Sequence, residues 1–239
     1  MAPRPHLRDV APLLTEQVLP ALYRVASVDP EAFLAQLRRR GVRAYTLDDL
    51  RQVEGELIDR VAEDEIRSAR RMSALSGVGL GMGGWLAIPP DVASQVVALL
   101  KLAQRMSLLY GFDYRASSGE IELWKAMADA VGAKVDLTGT PDDRARRLPA
   151  QVGGSRLALH PIAWRLAQAV VRRLAFRIST PLGRMVPVLS GGIGGATNYV
   201  QMGRAGQRMM AYYRARRGPD TTGPDAPFEV EVVRSPGDA

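Results

Sequence analysis

Apolar residues recur along this chain at spacings of three and four, and before residue 218 they form no convincing series of alternating strands. In TLDDLRQVEGELIDRVAEDEIRSARRMSAL, Leu50, Val53, Leu57 and Val61 mark one side of a long amphipathic helix. Thr46, followed three residues later by Asp49, supplies a capping box at its start. Upstream, VAPLLTEQVLPALYRVAS predicts a short apolar helix, and Asp29-Pro30 opens a second, PEAFLAQLRRRG, which Gly41 ends. Asp91 follows Pro89-Pro90 and is placed to cap VASQVVALLKLAQRMSLLYG, with Gly111 as its stop. GEIELWKAMADAVGA reads as a further helix. In LHPIAWRLAQAVVRRLAFRIST, Ala167, Val170, Val171, Leu174 and Ile178 share one side while Arg165, Arg172 and Arg173 project elsewhere. The pattern predicts an all-α fold, a multi-helix bundle. Residues 1–45 read as an N-terminal helical extension, 46–217 as the main helical domain, and 218–239 as a disordered tail rich in Pro, Gly and Asp.

Two stretches interrupt this regularity with glycine. GVGLGMGGWLAIPPD carries Gly77, Gly79, Gly81, Gly83 and Gly84, and VLSGGIGGATNYV carries Gly191, Gly192, Gly194 and Gly195. Neither is a phosphate loop: no lysine and Ser/Thr follow the glycines, and no strand precedes them. The intervening Val, Leu, Met, Trp and Ile are wrong for a flexible linker. Helices whose small residues admit close packing are the remaining reading. Met72–Pro90 and Met185–Gly203 each run for nineteen residues without a charge, close to the roughly 20 needed to cross a bilayer. Glycine dilutes both, however, and Pro89-Pro90, Pro187 and Asn198 interrupt them. They are therefore expected to pack together as a buried or shallowly inserted element, not as two spans.

Charge changes the picture further. From Arg144 to Pro219 there are fourteen arginines and no Asp or Glu; with +14 there and +7 overall, the remainder of the chain sums to −7. Such a block suits an anionic surface or pairs with the protein's own acidic helices. Arg172, Arg173, Arg177, Arg184, Arg204 and Arg208 are the candidates for contact with an anionic surface. There is no cysteine, and the histidines are His6 and His160 alone, so no metal, cofactor or catalytic residue is predicted. MAPRPHLRDVAPLL places prolines and charges where a secretory leader needs an apolar core, which predicts a cytoplasmic chain.

The glycine-rich run followed by IPPDVASQVVALLKLAQRMSLLYGFD, together with VPVLSGGIGGATNYVQMGRAGQRMMAYYR, resembles the bacterial EcsC family. The shared pattern is a glycine-rich segment, an Asp opening a helix that bears a Gln, a Tyr-Gly ending it, and later a Pro, a Gly/Ala-rich run and an Asn. The likeness covers residues 46 to 217. It implies a helical domain and, as for several members, membrane association; it implies no reaction.

Asp91, Gln95 and Asn198 are the polar residues set within the two apolar blocks. Asp91 and Gln95 are one helical turn apart and share a helix side; with the glycine runs packed together, Asn198 meets them. Such a cluster either fixes helix register or orients a water or cation. His160 reads as a capping or surface residue, since no serine lies in a nucleophile elbow. Tyr110, Tyr199, Tyr212, Tyr213, Trp85 and Trp164 are core fillers or interfacial anchors. The expectation is a non-enzymatic cytoplasmic protein, peripheral on anionic membrane or on a transporter-type membrane complex. The alternatives are a hydrolase or ligand-binding enzyme using Asp91, Gln95 and Asn198, and, less favoured, nucleic-acid binding through the arginine block, for which no reading motif is present.

Overall fold

The computed structural model describes residues 19–75, 90–133, 135, 160–179 and 191–217. Among them the ordered elements are all helical: α1 (Leu19–Ala26), α2 (Pro30–Arg39), α3 (Leu47–Gln52), α4 (Gly55–Leu75), α5 (Pro90–Leu109), α6 (Ser117–Val131), α7 (Pro161–Ser179) and α8 (Gly191–Arg217). None of these helices is long and apolar enough to cross a membrane.

Local chemistry sets several boundaries. Asp29 accepts from the amide of Ala32 at 2.7 Å ahead of Pro30 in the first turn of α2. Thr46 and Asp49 complete the predicted capping box: each side chain accepts from the other residue's backbone amide, at 3.1 and 2.9 Å. The amide of Tyr45 also donates to Asp49, and these hydrogen bonds to the carboxylate lower its pKa. At the end of α5 the chain turns through Gly111 at φ 85, left-handed backbone that a side chain would strain.

The long helix expected from residue 46 onward is broken. Val53 adopts extended backbone (ψ 142), so α3 ends at Gln52 and α4 restarts at Gly55. The break frees carbonyls, and Arg217 at the far end of α8 donates to those of Arg51 and Val53. Apolar periodicity persists across the break because Leu50 and Val53 still face the core, which is why the pattern reads as one helix.

Helix α5 lies at the centre and touches α1, α3, α4, α6 and α8; α8 packs most extensively on α4 and then on α6, and α7 covers α6. Centrality explains why Val97, Leu99, Leu100, Leu102, Ala103, Met106, Leu108 and Leu109 are buried around much of the circumference of α5 instead of along one stripe. Tyr23 from α1 stacks on Trp124 of α6, and Phe33 and Leu37 of α2 join the same core. The chain before residue 46 thus contributes directly to the hydrophobic centre of the bundle. Glu65, only 2% exposed, is held by Arg40 and Arg105, each at 2.6 Å, so the sole buried carboxylate in this part of α4 is paired from both sides.

Candidate functional site

The C-terminal end of α4, the first turns of α5 and the first half of α8 converge at one end of the bundle. There the Gln95 side-chain amide donates to Asn198 Oδ1 at 2.5 Å. The hydroxyl of Ser73, on a residue 1% exposed, donates to the carbonyl of Arg70 at 3.0 Å and lies 3.5 Å from that of Asn198. Two of the three predicted cluster residues therefore meet. The third, Asp91, falls inside the first turn of α5, which starts at Pro90, rather than ahead of it as a cap; its side chain lies outside the described residues. So do Gly77, Gly79, Gly81, Gly83, Gly84, Trp85 and Arg184. Gly191, Gly192, Gly194 and Gly195 form the first turns of α8, and their surroundings also lie outside the described residues.

Close packing by glycine does occur, at positions that the sequence reading did not single out. A Cβ at Gly206 would come within 2.7 Å of Ile66 Cγ1, and one at Gly203 within 2.9 Å of Arg70 Nε. These glycines are three apart on α8 and face residues four apart on α4, the spacing of touching helix ridges. The available signal was MGRAGQRMM, in which Met202, Ala205 and Met209 are also buried. Above Gly203 the Arg70 guanidinium lies 4.0 Å from the centre of the Tyr199 ring. Arg70, Val200, Gly203, Arg204, Gln207 and Arg208 line an open groove of about 360 Å³ with no carboxylate in its walls. Met72 and Val200, 65% and 43% exposed, add uncovered apolar surface to these segments of α4 and α8.

The opposite end of α8 is saturated with its own acids. Arg214 pairs with Asp59 at 2.6 Å, and Asp59 also accepts from Tyr110 at 2.7 Å. Arg216 pairs with Glu122 at 2.5 Å, where Tyr212 and Lys125 donate at 2.7 and 2.9 Å. Burial acts to raise the Glu122 pKa, yet the hydrogen bonds from Lys125 and Tyr212 and the charge of Arg216 outweigh it and hold it below the ordinary range. Glu120 shows the opposite: burial raises it, and the single backbone hydrogen bond from His160 does not compensate. Tyr213 is fully buried and stacks on Tyr110 with ring centres 5.9 Å apart. With Trp164 also buried, these three rings fill the core.

Of the predicted surface arginines, Arg172 and Arg173 on α7 and Arg204 on α8 are exposed, with no acidic partner among the described residues. Arg208 leans on the carbonyl of Ala130 at 3.4 Å; the side chain of Arg177 lies outside the described residues. His160 accepts from the amide of Ile162 at 3.3 Å and so caps α7. Among the described residues no three His, Asp or Glu side chains gather to hold a metal.

The chain matches the EcsC protein family over residues 15–217. No curated protein and no solved structure matches the chain. The match begins well before residue 46, in keeping with the core positions of Tyr23 and Phe33. The chain belongs to the EcsC family.

Proposed function

We propose that this EcsC-family chain is a non-enzymatic protein that associates peripherally with an anionic membrane surface, or with a membrane complex there, on the cytoplasmic side. The carrying observation is the Gln95–Asn198 hydrogen bond. It brings the helices that border both uncharged stretches, residues 72–90 and 185–203, to the same end of the bundle. Arg71 and Arg204 are exposed on these helices, as are Met72 and Val200. A cationic margin beside apolar surface suits a headgroup layer: each basic residue near an anionic surface contributes about 1 kcal/mol of attraction, and apolar side chains add shallow insertion. A ligand pocket at Asp91, Gln95 and Asn198 has less support, because the two amides engage one another.

Flotation tests the reading. The full chain is expected to float with phosphatidylcholine vesicles containing phosphatidylglycerol and not with phosphatidylcholine alone, and to release at high salt as screening shortens the reach of the arginines. Equal partitioning onto both vesicles removes the electrostatic part, and absence from both removes the proposal. Replacing Arg172 and Arg173 together by Gln is expected to weaken anionic flotation by about thirtyfold while leaving the fold intact.

A further inference from the structure

The groove between α4 and α8 is more specific than a charged surface. Its walls carry three guanidinium groups, from Arg70, Arg204 and Arg208, and the amide of Gln207. Arg70 is held in place: its head lies over the Tyr199 ring, with bare Gly203 backbone beneath. Its Nε is buried with no hydrogen-bond partner among the described residues. Arg204 likewise has no acceptor among them, and the bond from Arg208 to the Ala130 carbonyl is long and occupies one nitrogen. At the other end of the same helix, arginines are matched by carboxylates of α4 and α6. Planar guanidinium forks lining an acid-free groove suit the oxygens of a phosphate group, which accepts several such hydrogen bonds at once.

We propose that the groove lined by Arg70, Arg204, Arg208 and Gln207 is a binding site for a phosphate group, with Gly203 present to let the Arg70 guanidinium lie flat against α8. The inference rests on the membrane reading only for the source of that phosphate, which is a lipid headgroup if that reading holds and a phosphorylated solute if it does not. Gly203 is the sharpest handle. A methyl there meets the far end of a flexible arginine, so the side chain swings aside and the helix packing survives.

The full chain is titrated calorimetrically with two probes, inorganic phosphate and a short-chain phosphatidylglycerol below its micelle concentration. Saturable binding of either probe is expected, weakened by about tenfold in Arg204→Gln and in Gly203→Ala. Both variants are expected to keep the wild-type melting temperature. The variant Arg39→Gln, at an exposed position on α2 outside the groove, is expected to bind both probes as wild type does. Preference for the short-chain lipid assigns the headgroup as the source, and equal or better binding of inorganic phosphate assigns a solute. Absence of binding by both probes, or binding indifferent to both Arg204→Gln and Gly203→Ala, overturns the site. In that event, anionic flotation that persists keeps the membrane reading. Phosphate binding in a chain that fails to float keeps the groove and removes the membrane.

Discussion

The two halves of α8 put the same residue type to opposite uses. Toward its C-terminus Arg214, Arg216 and Arg217 are met by Asp59, Glu122 and the carbonyls freed at the α3–α4 break. Toward its N-terminus Arg204 and the facing Arg70 of α4 border a groove without a carboxylate. A count of charge along the chain treats these arginines alike. Their partners divide them: the first group is internal wiring that joins the last helix to α3, α4 and α6, and the second has no carboxylate partner among the described residues. Arg214 and Arg216 of the cationic block are thus absorbed by the protein's own acids, whereas Arg172, Arg173 and Arg204 have no acidic partner among the described residues.

The largest expected effect comes from breaking the closed half. Glu122→Ala strands Arg216, Lys125 and the Tyr212 hydroxyl together, and should lower stability by about 3 kcal/mol, read as a fall in the denaturant midpoint. The same carboxylate fixes a pH signature. Its folded pKa lies below the ordinary value near 4.5, so its contribution is present above that pH and is lost as the pH falls through the folded value. Glu120 has the opposite sign: with a raised folded pKa, its contribution is fully present below about 4.5 and is lost as the pH rises through the folded value. Acid unfolding followed by circular dichroism should therefore be shallower in Glu122→Gln than in wild type below pH 4.5. If the variant keeps the wild-type acid slope, Glu122 does not anchor α8.

A smaller effect separates two glycines that look equivalent in sequence. Gly206→Ala pushes a methyl into buried Ile66 at 2.7 Å and should cost about 2 kcal/mol, because the branched side chain has nowhere to go. Gly203→Ala meets only the head of Arg70 and should change stability by less than about 0.5 kcal/mol. Thermal melts of the two variants side by side decide it, and equal losses would mean that Arg70 is as fixed as Ile66.

These particulars show what could be read from the chain alone. Caps at Asp29, Thr46 and Asp49 and the stop at Gly111 are local chemistry, and each works as its residue types dictate. The meeting of Gln95 with Asn198 was also foreseeable, since both are polar positions inside apolar blocks. The break after Gln52 was not, because Leu50 and Val53 keep their periodicity through it, and the partner that satisfies the freed carbonyls arrives from residue 217. Nor could spacing single out Gly203 and Gly206, which lie outside the nine glycines of the two runs. What distinguishes them is the identity of the residues on α4 that they face, a tertiary fact.

An effect smaller than that of Gly206→Ala bears on the open end itself. Asn198→Leu leaves the Gln95 donor without its acceptor and should cost about 1 kcal/mol; Gln95→Leu should cost a similar amount. Because both changes remove one shared bond, the double variant should lose less than the two single losses added together, and the shortfall measured by chemical denaturation is the coupling between α5 and α8. A coupling near zero would mean that the two helices are held together by packing alone, and that Gln95 and Asn198 meet because the apolar core of α4, α5 and α8 places them side by side.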